Sequence, residues 1–108
     1  MIILPAPDEA IFVGVLRVVL RMPGNRSLKD RRRVVLSLRD RIQARHHVSF
    51  AEVGHLDDAQ AAVLAVCAVG NDARLLQSRM DSIRAEVESV VDAMVVEESV
   101  RIDPWKPS

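Results

Sequence analysis

Aromatic residues are nearly missing from this 108-residue chain: Phe12, Phe50 and Trp105 are the whole set, and there is no tyrosine. Sheet-based RNA readers stack unpaired bases on neighbouring aromatic rings. Phe12 falls on a strand face expected to be buried, so no pair of rings is left for that role and recognition-motif readout is disfavoured. Cysteine is scarcer still, with Cys67 alone. An intrachain disulfide and a thiolate zinc cluster are both excluded, and a small buried thiol in a cytoplasmic protein is the expectation. No apolar run approaches the roughly 20 residues of a membrane-spanning helix. The opening MIILPAPDEA lacks a basic n-region and meets Pro5, Pro7, Asp8 and Glu9 almost at once, which argues against a signal peptide. Also missing are a Gly-rich phosphate loop with a following Lys, a nucleophile elbow and paired-cysteine spacing. No catalytic residue, cofactor, metal site or membrane partner is therefore expected.

What remains is a globular balance, 49% apolar and 28% charged, in a length suited to one core. Net charge is zero, but it is unevenly placed. Residues 1–46 hold ten Arg and Lys against four acids and residues 47–108 hold five against eleven, so the halves stand at +6 and −6. Such asymmetry marks an anion-binding surface, or else elements or subunits that attract one another. The neutral total confines any nucleic-acid steering to a local patch.

Along the chain, six elements are legible. Residues 11–22, IFVGVLRVVLRM, are β-branched and stop at Pro23–Gly24. Strand alternation puts Phe12, Gly14, Leu16, Val18, Leu20 and Met22 on an apolar face, with Val13, Val15, Arg17, Val19 and Arg21 on a mixed one. After the Pro-Gly-Asn turn, Ser27 and Asp30 form a capping-box-like pair, an Asp standing where Glu is usual. The spacing predicts a helix over 28–45 with a core stripe of Leu28, Val35, Leu38 and Ile42 and Val34 beside it. Lys29, Arg33 and Asp40 fall opposite, and Arg31 lies on the apolar side with its long stem free to snorkel past the sheet edge. Strands are predicted at 48–53, 62–69 and 95–102, the last at an edge because of Glu97 and Glu98. Between the last two, a helix capped by Asn71 or Asp72 carries Leu76, Met80, Ile83, Val87, Val90 and Met94 at helical spacing, as for a helix lying across a sheet.

The order β-α-β-β-α-β is that of the ferredoxin-like split βαβ: a four-stranded antiparallel sheet, α+β, with both helices on one face. Strands 1 and 3, the most apolar, are expected at its centre. The domain is placed at 11–103, between a leader at 1–10 and a tail at 104–108.

Three groups of residues bear on function. Arg26, Lys29, Arg31, Arg32 and Arg33 load the first helix with cation, and Arg17 and Arg21 lie on the open sheet face. Arginine forks match phosphate oxygens and bind them in a salt-sensitive way. Val13, Val15 and Val19 would leave an apolar patch on that open face, as at a two-fold dimer interface. There Arg17 and Arg21 would meet a partner's acids, Glu52 or Glu97 and Glu98. His46 and His47 sit at a helix C-terminus, where capping or solvation is the simple reading. Glu52, His55 and Asp57 could in principle hold a metal or pass a proton, but Glu52 and His55 point to opposite faces of an unbulged strand.

The segments VGVLRVVL at 13–20, PGNRSLKDRRRVVLSL at 23–38, VSFAEV at 48–53, His55 and AVGND at 68–72 resemble the YlxP-like family of small bacterial proteins. The resemblance spans residues 11–103, and Ser-Leu-Lys-Asp-x-Arg-Arg is its most specific part. It implies a ferredoxin-like fold, no assigned activity, and an association with RNA or the ribosome, since members are often encoded near translation and ribosome-maturation factors. Gly54 and Leu56 stand beside His55 where the family has polar residues, which weakens a chemical role there. The expectation is a non-enzymatic, cytoplasmic, homodimeric accessory protein of RNA or the ribosome. The alternative is a homodimeric interaction module that uses its open sheet face to take an acidic protein partner.

Overall fold

Alternation in the strands and a 3.6-residue period in the helices sort the side chains into one core. In a computed structural model, which describes residues 8–90 and 92–107, the elements are β1 (Phe12–Arg21), α1 (Leu28–Arg45), β2 (Ser49–Gly54), β3 (Ala61–Gly70), α2 (Ala73–Glu88) and β4 (Met94–Pro104). The strands form a single sheet in the order β2-β3-β1-β4, every pair antiparallel. This is the ferredoxin-like βαββαβ arrangement, with β1 and β3 central and the Glu97–Glu98 strand at an edge. Leu16, Leu20 and Met22 from β1 and its end, Leu64 from β3, Ile42 from α1 and Leu76, Met80 and Ile83 from α2 are at most 1% exposed.

Gly14 sets how closely α2 approaches. A Cβ at this position would lie 2.9 Å from Ile102 Cδ1, 3.2 Å from Leu76 Cγ and 3.3 Å from Met80 Cγ. The helix therefore rides directly on the β1 backbone, which only a residue without a side chain permits.

The structure corrects several of the expectations. Leu28 is 49% exposed and Arg31 is buried, so the inward stripe of α1 runs Arg31, Val35, Leu38, Ile42. Met94 does not continue the α2 stripe. The helix ends at Glu88, and Met94 opens β4 with 55% exposure. Cys67 is half-buried, on the bare side of the sheet opposite Val15. Of the expected leader, residues 1–7 lie outside the described residues. At the other end β4 runs through Pro104, opposite Phe12, and the Trp105 N–H donates to Ile11 O at 2.8 Å.

The turn before α1 is latched to the β2–β3 turn. Asn25 Nδ2 donates to Ala59 O at 3.1 Å, and Gln60 Nε2 donates to Pro23 O and Asn25 O at 3.3 and 3.2 Å. The Met22 N–H, donating to Gln60 O at 2.8 Å, closes the same junction. These bonds hold the first turn of α1 at one end of the sheet.

Candidate nucleic-acid interface

Local chemistry starts α1 where the charged run begins. Ser27 is the N-cap, its Oγ accepting from Asp30 N at 3.1 Å, and Asp30 Oδ2 accepts from Arg26 N at 2.8 Å. The shorter Asp reaches the N–H one residue before the cap, in place of the cap's own N–H that a Glu would reach. Asp30 is thereby engaged with backbone while the surrounding cations stay free. Arg26, Lys29, Arg32, Arg33 and Arg41 are all exposed, and among the described residues none of the five has a carboxylate within ion-pair distance.

Arg31 does not belong with them. It is 5% exposed. Its Nε donates to Ala61 O at 3.0 Å, its Nη1 pairs with Glu52, and its Nη2 is buried without a partner. The guanidinium turns inward over the start of β3 and ties α1 to β2, so it is an internal strut and has no access to an external phosphate. The stem does not snorkel outward because the sheet edge offers a carbonyl and a carboxylate closer than water.

The two arginines of the open face also differ from each other. Arg17 pairs with Glu97 of the same chain at 2.9 Å, whereas Arg21 is exposed and has no such partner among the described residues. Of the valines placed there, Val15 is 40% exposed and Val13 half-buried, but Val19 is 9% exposed and adds little to an apolar patch. Several bonds join the basic half of the chain to the acidic half. They include Arg17–Glu97, Arg31–Glu52, and Arg45 at 3.8 Å and His46 at 3.0 Å from Glu86 Oε1. Part of the charge asymmetry is therefore spent within the fold.

The histidines are placed by backbone. His46 is the C-cap of α1, its N–H donating to Ile42 O at 2.9 Å. Arg79 Nη2 donates to His47 O at 3.0 Å, so both residues fasten the end of α1 to α2. His55 sits in the β2–β3 turn with φ 53°, a left-handed conformation. Glu52 faces Arg31 and Asp58 Oδ1 accepts from Gln60 N at 2.8 Å. The structure does not bring Glu52, His55 and Asp57 together as a site.

A groove runs beside two of these cations, Arg33 and Arg41. One cavity of about 550 Å³ is lined by Asp30, Arg33, Val34, Asp92 and the Pro23–Asn25 turn. A second of about 360 Å³ shares Arg33, Val34 and Asp92 and extends along Ser37, Leu38 and Arg41. From Asp30 to Arg41 the helix advances about 16 Å. Arg41 was not singled out from sequence. Its signal was its spacing from Arg33 on the same helix face, two turns on through Ser37.

Glu98 is half-buried at the edge strand, close to Glu88, the last residue of α2. Burial first, then the hydrogen bond and the charge of Glu88, raises the Glu98 carboxyl above its ordinary value, with Arg84 opposing. No described helix is long and apolar enough to cross a membrane.

Residues 13–100 match the family described as protein of unknown function DUF503. The chain belongs to that family. No curated protein matches it. The de novo designed protein Foldit4 superposes with a TM-score of 0.50 at 10% identity, over 91% of this chain and 99% of its own. A crystal structure named "Putative Chlorite dismutase" reaches 0.46 at 12% identity, with 86% of this chain covering 42% of that one. At such identities the likeness concerns the fold alone.

Proposed function

We propose that this DUF503 protein is a YlxP-like, non-enzymatic accessory protein that contacts RNA, in the ribosome or during its maturation, through the phosphates. The reading rests on one observation: Arg26, just before the N-cap, and Lys29, Arg32, Arg33 and Arg41 along α1 are exposed with no carboxylate in ion-pair range among the described residues. Cations held without counter-ions on a rigid helix release condensed counter-ions when they meet a phosphate backbone. The resemblance of PGNRSLKDRRR to the YlxP-like signature supports the same partner and a cytoplasmic setting.

The contact is with backbone rather than base. Phe12 and Phe50 pack against the core, and Trp105 stands apart in the C-terminal segment, so no stacking platform accompanies the cations. Asp92, across the groove from Arg33, repels a phosphate but accepts from a ribose 2′-hydroxyl. This favours RNA over DNA.

Fluorescence anisotropy with a labelled ribosomal RNA fragment tests the reading. With five contacts on a single strand, the logarithm of affinity should fall with the logarithm of salt at a slope of about −3.5. Arg32→Ala with Arg33→Ala should flatten that slope by roughly 1.4 without changing stability. A matched DNA strand should bind more weakly. Equal, weak binding by wild type and the Arg26/Lys29/Arg32/Arg33→Ala variant at low salt would falsify the proposal.

A further inference from the structure

The sheet has a covered side and a bare side. Both helices pack on the face that holds Leu16, Leu64 and Val66, and the register puts Val15, Cys67 and Ser49 in one row across the other. In the adjacent row Ala65 lies beside Arg17, with Ala51 beyond it on β2. From β1 across β3 to β2 this bare surface carries no acidic side chain and nothing larger than valine except Arg17 and Arg21. Val15 and Val69 are left 40% and 63% exposed on it.

We infer that this face is the interface of a homodimer, the sheet of one chain packing on the sheet of a second copy. Three observations select a second copy over another occupant. The first is charge. Arg17 is paired with Glu97 at 2.9 Å and Arg101 with Asp103 at 2.7 Å, so apart from Arg21 at one end the face is already neutral. An acidic partner finds one free cation there, while an identical neutral face finds a match. The second is size. Strands of ten and eleven residues, β1, β3 and β4, beside the shorter β2 cover about 600 Å² at ordinary strand rise and spacing. Two copies bury about 1,200 Å², above the roughly 1,000 Å² that a specific interface needs.

The third observation is the edges. The register of β2 slips between Glu52 and Gly54, and that of β4 slips opposite the Val19–Leu20 step. Bulges on both outer strands twist them away from strand addition, so association through an edge is blocked and the face is left. The small side chains of β3 and β2 and the valines of β1 suit two sheets stacked about 10 Å apart, with the paired charges of β4 along one rim. Both α1 helices then lie on the outer surfaces of the dimer, pointing away from each other. The dimer does not depend on the RNA reading, but it would give that reading two phosphate-binding helices per particle.

Sedimentation equilibrium at micromolar protein decides it. Wild type should have twice the chain mass. Val15→Lys with Val69→Lys, at positions exposed in the single chain, should have the chain mass with an unchanged circular dichroism spectrum, and a melting temperature that no longer depends on protein concentration. Leu75→Lys, on α2 and 65% exposed, controls for surface hydrophobicity and should remain dimeric. A wild type of single-chain mass, or a dimer that survives the paired lysines and is lost with Leu75→Lys, overturns the inference.

Discussion

Replacing Arg31 separates an internal strut from a phosphate contact, because the two roles predict opposite outcomes. Arg31→Ala removes two buried stem methylenes, Cγ and Cδ, about 1.6 kcal/mol. It also removes the charge-assisted bond from Nε to Ala61 O, a loss of about 1.5–3 kcal/mol. The Glu52 partner is 33% exposed, so its ion pair counts as a screened one, at most about 1 kcal/mol. Against these losses stands Nη2, buried with no partner, whose removal returns about 1–2 kcal/mol. The net cost is about 3 kcal/mol, a large part of the roughly 5–15 kcal/mol that stabilises a domain. Arg31→Met keeps the stem and loses only polar contacts, so it should cost about 1 kcal/mol. Urea denaturation checks both, and the melting temperature should drop by about 12 °C for Ala and about 4 °C for Met. The reasoning fails if Arg31→Ala unfolds within about 0.5 kcal/mol of wild type while losing as much RNA affinity as Arg32→Ala. That result would put the guanidinium outside.

Two further perturbations probe packing and titration. Gly14→Ala forces α2 off β1, since its Cβ would meet Ile102, Leu76 and Met80 at 2.9–3.3 Å, and should cost about 1–3 kcal/mol. A variant as stable as wild type in urea would show that the helix approaches less closely. Glu98 has its carboxyl raised in the folded chain, chiefly by burial and then by Glu88. Between its unfolded and folded values the native state holds a proton that the unfolded chain has released, so stability falls as pH rises through that window. Glu98→Gln should therefore gain on wild type as pH rises above the ordinary carboxylate range of about 4.3. An unchanged difference between the two urea midpoints as pH rises would remove the argument.

Much of the architecture is legible in the residues themselves. The β-branched alternation of β1, the continuous apolar run of β3, the Ser27–Asp30 cap and the 76-80-83-87 stripe are local patterns. Each names its element and its inward face without reference to the rest of the chain. Helix α1 begins and ends at the predicted residues 28 and 45 because a cap at one end and His46 at the other are written locally. The α2–β4 boundary is not legible, for the same reason. Met94 keeps the helical period of Leu76 and Val87, and periodicity cannot say that the chain has already turned back to pair with Arg21.

Cation at the start of α1, an apolar open face and a ferredoxin-like order were determined by sequence alone. Which cations remain free was decided only by the tertiary structure. Helical spacing puts Arg31 and Leu28 on the same apolar side, yet Arg31 is buried and Leu28 exposed because the sheet ends beneath them. There a guanidinium can reach Ala61 O and Glu52, whereas a leucine has no apolar floor to cover. Arg17 is neutralised by a residue 80 positions away, and Val19 is shielded on a face that alternation marks as open. Spacing along one element fixes direction, but partners come from elsewhere in the fold, and burial is a property of both.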